Sequence, residues 1–274
     1  MGDRLTRRQF VFTGAVFVTG FGVRVARATV DGQAPASAGP VSSMLLDDLV
    51  AANRILADQG VLDALGHVSV RHDRDPNRYL LSQSRSAELV DRDDVMEYDL
   101  GSNPVNQAGR PMFLERFIHG EIYRARPDVK AICHNHAASL IPFGVTSVPL
   151  RAVHQSAAFI VDGVPVFDMR KSAGMTDLLV TDAARGRALA QSLDNRQAVL
   201  MRGHGAVVVG PSLPLLVRRS INLELNARLQ MQAMALGGNI VYLDPEEAKK
   251  VMAREDAGLD RSWELWKRKA IGKQ

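Results

Sequence analysis

Residues 131–139 read Ala-Ile-Cys-His-Asn-His-Ala-Ala-Ser and place two histidines, His134 and His136, two positions apart. The run before them, Val129 to Cys133, is short, mostly apolar and preceded by Pro127-Asp128, which is typical of a strand. Side chains two apart on a strand point to the same face, so both imidazoles can meet at one point. A metal ion needs this geometry from neighbouring ligands. Taken alone, the pair favours two histidines at a strand end that bind nothing, because histidine is often partly buried without a ligand role.

Two further residues extend the candidate site. His204 lies in Gly203-His204-Gly205 between two apolar runs, and the flanking glycines let the backbone turn so that the histidine stands at the rim of a sheet. Glu115 lies on a predicted helix, Met112 to Arg126, which the chain follows with a reversal into the histidine strand. Helix and strand should pack side by side, and the acid can then face the histidines. The alternatives are a turn histidine in solvent and an ordinary solvated helix glutamate.

Four segments of the chain form a pattern: Glu115-x-x-x-His119, the run Ile122 to Val129, His134-Asn135-His136 and Gly203-His204-Gly205. The set resembles the class II aldolase and adducin family over about Leu45 to Tyr242. The 19 positions from the acid to the first histidine also match the sugar-phosphate aldolases of that family. The resemblance implies that His134, His136 and His204 bind a divalent metal, usually Zn²⁺, with Mn²⁺, Co²⁺ or Mg²⁺ as alternatives. It also implies that Glu115 transfers the proton.

The alternation of short strands and helices predicts an α/β fold. The resemblance implies a three-layer α/β/α sandwich with a mixed, mainly antiparallel central sheet, and a homotetramer with the active site near a subunit interface. We predict strands at Tyr79–Ser82, Val95–Leu100, Val164–Phe167 and within Val199–Val209, and helices at Met44–Gln59, Thr181–Leu193 and Leu215–Leu236. Trp263 and Trp266 lie on one face of the amphipathic tail and predict a core or subunit contact.

The first 28 residues are typical of a twin-arginine signal peptide. Thr6-Arg7-Arg8-Gln9-Phe10 precedes an apolar run, Val11 to Val23, and Ala26-Arg27-Ala28 has the form of a cleavage site. The run is short for a membrane span, although an uncleaved anchor is the alternative. We therefore predict a signal peptide at 1–28, a linker at 29–43, a catalytic domain at 44–274, and a periplasmic protein with no membrane attachment after cleavage.

The charge balance argues against a general affinity for nucleic acid. The chain has 34 Lys and Arg and 30 Asp and Glu, but residues 1–28 hold five of these basic residues and one acid. The remainder is neutral overall and has no positive field for nucleic acid or anionic membrane. The single cysteine, Cys133, cannot form an internal disulfide. Strand alternation points it away from His134, which favours a core residue over a metal thiolate.

The sequence departs from the sugar-phosphate aldolases where those enzymes hold phosphate. Phe113 and Leu114 stand where serines or threonines are common, and His67 stands in place of an asparagine. The loop Ser84-Arg85-Ser86 carries an arginine, which can clamp a carboxylate through two hydrogen bonds. Arg85, His67 and Ser84 are therefore candidate substrate contacts. The alternatives are a solvated loop cation for Arg85 and a structural turn residue for His67.

These features favour a metal-dependent carbon–carbon lyase that decarboxylates a non-phosphorylated keto or hydroxy acid, and Glu115 to Glu121 and Ser82 to Ser86 resemble the aromatic-catabolic decarboxylases of the family. Three imidazoles leave a bound metal open positions, from which it stabilises the enolate formed on bond cleavage. Apolar neighbours are expected to raise the pKa of Glu115. The alternatives are an aldolase or epimerase for a free sugar or hydroxy-keto acid, and a non-catalytic adducin-like binding module.

Overall fold

A seven-stranded sheet runs through the computed structural model, which describes residues 34–272. The strands are β1 (His67–Arg71), β2 (Arg78–Ser82), β3 (Val95–Asp99), β4 (Ala131–Asn135), β5 (Val166–Phe167), β6 (Ala198–Met201) and β7 (Gly205–Gly210). Their order is β3-β2-β1-β4-β7-β6-β5, and only β5 and β6 pair in parallel. The predicted mixed, mainly antiparallel sheet is confirmed, although β1 was not predicted.

Helices cover both faces of the sheet, as the three-layer prediction requires. They are α1 (Ser43–Asp58), α2 (Arg116–Ala125), α3 (Ile141–Val145), α4 (Arg170–Ala173), α5 (Ala183–Leu193), α6 (Leu213–Ala235), α7 (Pro245–Met252) and α8 (Leu259–Ile271). Strand alternation divides the core, because Ala206 and Val208 pack with α1 and α6 while Val207 and Val209 pack with α2 and α5. Trp263 and Trp266 of α8 pack against the core on the α1 side.

The helix that was predicted to start at Met112 begins four residues later. The chain from Pro111 to Glu115 is irregular, and Glu115 is the residue immediately before α2, with φ −89° and ψ 17°. Phe113 is buried in the core while Leu114 next to it is 61% exposed. The apolar residues in this stretch thus look like the first turn of a helix, but they pack in different directions. The predicted placement of Glu115 within a helix was wrong.

A tight turn between β6 and β7 presents His204. Met201 pairs with Gly205 across the two strands, and Gly203 in the turn has a φ of 65°, which favours glycine. Gly205 lies against the neighbouring strand so closely that a Cβ there would overlap the carbonyl oxygen of Asn135. The predicted strand–turn–strand around Gly-His-Gly is confirmed, and the second glycine allows β4 and β7 to approach at the histidines.

The segment before α1 lies along the domain without forming a helix or strand. Ser37 and Ala38 donate hydrogen bonds to the carboxylate of Glu97, and the backbone N–H of Ser42 donates to Asp73. The predicted signal peptide lies outside the described residues, as does the start of the predicted linker. Among helices within residues 34–272, none combines the length and apolar character that crossing a membrane requires.

Replacing Gly205 with Ala should destabilise the fold, because the new Cβ must push the Asn135 carbonyl and separate β4 from β7. We expect the free energy of unfolding to fall by about 1–3 kcal/mol or more, as for other overpacked cores. Denaturant titration followed by circular dichroism measures this. Gly238→Ala is the matched control, because nothing lies within 4 Å of a Cβ at that exposed position. Equal unfolding midpoints for the two variants would contradict the close approach.

Candidate metal centre

Three imidazoles converge at the end of the central strands. His134 lies on β4, His136 directly follows that strand, and His204 lies in the turn that leads into the adjacent β7. The Nε2 atom of His136 is 3.1 Å from Nε2 of His134 and 3.1 Å from Nε2 of His204. The structure thus brings together all three histidines that the resemblance assigned as ligands.

The Nδ1 atom of each ring, on the side away from the cluster, shows which ring nitrogen carries the hydrogen. Each Nδ1 faces an oxygen that can only accept a hydrogen bond, so each Nδ1 must carry the hydrogen. The acceptors of His134, His136 and His204 are the carbonyl of Ala206 at 3.2 Å, the carboxylate of Asp63 at 3.0 Å and the carbonyl of Leu178 at 2.9 Å. In an uncharged imidazole the other nitrogen is then a bare lone pair. Three lone pairs therefore point at one another.

Glu115 completes the cluster from the start of α2. Its Oε2 atom lies 3.3 Å from Nε2 of His134 and 3.4 Å from Nε2 of His204, and its Oε1 accepts a hydrogen bond of 2.9 Å from the backbone of Val180. Burial raises the pKa of Glu115, but hydrogen bonds and positive charge from His134 and His204 outweigh it when those rings carry a hydrogen on Nε2, and the pKa then lies below its usual value; a cation in place of those hydrogens would act in the same direction. The expected rise was wrong, and Glu115 is an ionised carboxylate.

The contact with Glu115 also raises the pKa of His204. Burial lowers the pKa of His204, but the hydrogen bond to Glu115 and its negative charge outweigh that effect and leave the pKa above its usual value. His136 has no such contact with Glu115. Its pKa is lowered by burial and by neighbouring His134, against the effect of Asp63.

These four side chains fit a divalent cation. One ligand atom from each of Glu115, His134, His136 and His204 lies within 4.8 Å of the others. Bare nitrogens and a charged oxygen repel one another at such distances unless hydrogens or a cation lie between them. Imidazole and carboxylate are ligands that zinc accepts, and their outward nitrogens are held by oxygens as is usual for metal-binding histidines.

A cavity of about 470 Å³ opens beside the cluster. Its lining residues are Leu65, His67, Ser84, Phe113, Leu114, Glu115, His136, Asp177, Leu178, Leu179, Gly203 and His204. The predicted substrate contacts His67 and Ser84 are among them. Arg85 is not, and it forms ion pairs with Asp94 at 2.8 Å and Asp91 at 3.3 Å. The lining residues from the described chain include no Lys or Arg, and a role for Arg85 in substrate binding stays a prediction.

Cys133 lies in the core on the face of the sheet opposite to the histidines. It is fully buried among residues that pack with α1 and α6, and burial raises its pKa to about 12. A thiol with such a pKa is protonated at neutral pH and is a poor metal ligand. The predicted role as a small core residue is supported over that of a thiolate.

Sequence reasoning missed the residues that orient the ligands. Asp63 holds His136 and also accepts from the backbone of Leu65 and Gly66, so it closes the turn before β1. Leu178 supplies a carbonyl to His204 from a left-handed φ of 67°, which is uncommon for a branched side chain. An Asp three residues before a glycine hints at the turn. The contributions of Leu178 and Val180 come from backbone atoms and carry no sequence signal.

His204→Gln should abolish firm metal binding, since it removes one of three converging nitrogen ligands. Elemental analysis after native purification should give about one divalent ion per chain for the unaltered protein and less than about a tenth for the variant. His72→Gln is the control, because His72 is also buried but lies just beyond the opposite end of β1. Retention of metal by the His204 variant would show that this histidine is no ligand.

Asp63→Asn should weaken metal binding without removing a ligand. The amide oxygen can still accept from the Leu65 and Gly66 backbone, but the charge that favours the Nδ1–H form of His136 is lost. We expect the dissociation constant for Zn²⁺ to rise about tenfold to a hundredfold, as for other outer partners of ligating histidines. Competition with a chromogenic chelator measures it. Asp256→Asn is the exposed control, and an equal effect from both would refute this role.

The chain is similar in sequence to the class II aldolase and adducin family and to two proteins named as decarboxylases. Residues 47–231 match the profile of the Class II Aldolase and Adducin N-terminal domain. Decarboxylase tropJ of Talaromyces stipitatus is 34% identical over 237 residues, covering 78% of this chain and 89% of tropJ. The 3,4-dihydroxyphthalate decarboxylase of Rhodococcus jostii is 28% identical over 210 residues, covering 70% of this chain and 81% of that protein.

Solved structures confirm the fold class. The L-fuculose 1-phosphate aldolase of Glaciozyma antarctica superposes with a TM-score of 0.70 at 22% identity, covering 86% of this chain and 94% of that chain. An aldolase II superfamily protein from Pseudomonas syringae gives 0.71 at 20% identity, covering 86% and 95%. At such identities the likeness supports the architecture and carries no assignment of substrate.

Proposed function

Since this chain belongs to the class II aldolase and adducin family and is a lyase, we propose that it is a metal-dependent decarboxylase of a non-phosphorylated, aromatic-derived hydroxy or keto acid. The observation that carries the proposal is the wall of the cavity beside Glu115. That wall has apolar Phe113, Leu114 and Leu65, and no Lys or Arg of the described chain lines it. A phosphate would meet no Lys or Arg there, and Ser84 is the one hydroxyl side chain among the lining residues of the described chain, fewer than a phosphate cradle of small polar residues supplies.

The relatives support the reaction type. Two proteins that this chain matches over most of their length are named as decarboxylases, and the substrate in one of those names is 3,4-dihydroxyphthalate, a hydroxylated aromatic diacid. An aromatic ring suits a cavity with a phenyl group and leucines on its wall. We infer a substrate of that chemical class for this chain.

His134, His136 and His204 would hold a divalent ion, which would supply Lewis-acid stabilisation of negative charge on a substrate oxygen. The carboxylate of Glu115 is ionised and faces the cavity, so it can accept the proton of a substrate hydroxyl group. The carbon that bears the carboxylate takes up that proton from Glu115, the bond to the carboxylate then breaks, CO₂ leaves, and the bonding electron pair restores the aromatic system with the negative charge on the substrate oxygen. The hydroxyl proton has then moved to carbon through Glu115, and the product oxyanion takes a proton from solvent, which balances the reaction.

The apolar wall favours this bond cleavage. A carboxylate that lies against Phe113 and Leu114 loses hydration, whereas the CO₂ that forms from it is uncharged and needs none. A bidentate arginine would instead stabilise the charged ground state. The ion pairs that hold Arg85 to Asp94 and Asp91 outside this lining are therefore compatible with decarboxylation.

Polar residues in the same cavity support one alternative. Ser84 and Asp177 could bind hydroxyl groups of a free sugar or hydroxy-keto acid, whose aldol cleavage needs the same charge stabilisation. Three histidine nitrogens and a carboxylate meet beside the cavity, and this arrangement favours an enzyme over a non-catalytic binding module. Export to the periplasm through a twin-arginine signal and assembly as a homotetramer stay proposals from the sequence.

Glu115→Gln should lower kcat for CO₂ release from 3,4-dihydroxyphthalate by about 10²–10⁴, because the amide keeps the size of the side chain and loses the base. The metal content of the variant is measured in parallel, so that loss of the ion is recognised. Glu88→Gln is the control, because Glu88 is exposed on a short 3₁₀ helix, Ala87–Leu89, and does not line the cavity.

A panel of hydroxylated benzoates, phthalates and hydroxy-keto acids separates the candidate reactions. Release of CO₂ from the aromatic acids, with no aldehyde release from the hydroxy-keto acids, supports the decarboxylase. Aldehyde release from hydroxy-keto acids, with no CO₂ from any aromatic acid, would replace it with the aldolase.

A further inference from the structure

A row of four buried polar side chains leads from the interior to the cavity. The hydroxyl of Tyr123 lies 2.9 Å from Oγ of Ser69, which lies 2.6 Å from Nδ1 of His119, whose Nε2 lies 2.7 Å from Nδ1 of His67. All four side chains are at most 1% exposed. His67 and Ser69 share one face of β1, and His119 and Tyr123 share one face of α2, so two regular elements hold the row.

The hydrogens of this row have one favoured direction. The Tyr123 hydroxyl has two acceptors in reach, Ser69 at 2.9 Å and the carbonyl of Lys130 at 3.4 Å. That carbonyl already accepts a 2.7 Å bond from the backbone N–H of Arg71. At 3.4 Å the contact to the carbonyl is longer than an ordinary O–H···O hydrogen bond, so the shorter contact favours Tyr123 donating to Ser69, and Ser69 then uses its only hydrogen for Nδ1 of His119.

The same direction of hydrogen bonding determines which nitrogen carries the hydrogen in His119 and in His67. With Nδ1 of His119 accepting, its hydrogen lies on Nε2 and is donated to Nδ1 of His67. The hydrogen of His67 consequently lies on its own Nε2. Within the described chain this nitrogen has no hydrogen-bond partner, and the ring lines the cavity together with Glu115 and His204.

We propose that His67 is a catalytic hydrogen-bond donor, whose uncharged Nε2–H contacts the substrate oxygen on which negative charge develops, with Ser69, His119 and Tyr123 as positioning residues that select this tautomer. The proposal rests on the decarboxylase function. His67 pairs with His134 across β1 and β4, and their ring centres are 5.2 Å apart, so a substrate oxygen at the donor is adjacent to the histidine cluster. Such donors act most strongly where water is excluded.

The tautomer can be read without any substrate. In the zinc-loaded protein labelled with ¹⁵N-histidine, long-range ¹H–¹⁵N correlation should show His67 protonated at Nε2, with His67→Gln used to assign its signals. Ser69→Ala removes the donor to His119, so both tautomers of His67 should appear. Tyr123→Phe removes the hydroxyl that donates to Ser69 and should have the same effect, whereas Tyr98→Phe removes a buried hydroxyl outside the row and should leave the Nε2–H form unchanged. A His67 that is protonated at Nδ1 in the unaltered protein overturns the proposal.

Kinetics then test the contact with substrate. His67→Phe keeps a planar ring and removes the donor, and it should lower kcat for CO₂ release by about 10²–10³ with a smaller change in KM. His67→Asn restores an N–H donor and should recover at least tenfold of that loss. Equal kcat values for the Phe and Asn variants would refute the donor role. Absence of CO₂ release by the unaltered protein would instead count against the decarboxylase function and leave the tautomer result standing.

Discussion

Three hydrogen bonds on the outer sides of the imidazoles give this site its character. Each one fixes a hydrogen on Nδ1, and together they leave three lone pairs facing one another. The acceptors come from separate parts of the chain: the carbonyl of Ala206 on β7, the turn of Asp63 after α1, and the loop of Leu178 before α5. The sheet order that places β1, β4 and β7 side by side is what allows these parts to meet.

The position of Glu115 shows how a long-range contact overrides local surroundings. Its sequence neighbours Phe113 and Leu114 are apolar, and burial alone would raise its pKa. The contacts of 3.3 and 3.4 Å with His134 and His204 reverse the sign, because positive charge at that range, on protonated rings or on a cation bound between them, outweighs desolvation. Val180 anchors the second oxygen. Glu115 is therefore an ionised carboxylate held in one position, and not the neutral acid that its apolar sequence neighbours predict.

Strand alternation and glycine placement made part of this structure predictable from the sequence. The alternation put His134 and Cys133 on opposite faces, and Gly203 and Gly205 indicated the turn that presents His204. These features depend on near neighbours in the chain. The start of α2 was missed, because Met112 and its apolar neighbours have a helical pattern while Glu115 is held by distant histidines. The ion pairs of Arg85 depend on Asp94, which lies across a loop, and no local pattern indicates them.

The cavity combines polar groups with an apolar wall, and this combination suits a reaction in which a substrate carboxylate loses its charge as CO₂. A phosphate keeps its charge throughout an aldol cleavage, so an enzyme that holds one can use fixed cations at no cost to the reaction. A carboxylate that becomes CO₂ loses its charge, and a cation beside it would stabilise the reactant more than the transition state. In this chain the polar groups Glu115 and His67 lie on the same cavity as the cluster, while Phe113 and Leu114 supply the wall. If the carboxylate of the proposed substrate lies against the apolar wall, charge would be stabilised where it arrives on the substrate and not where it departs, as the proposed decarboxylation requires.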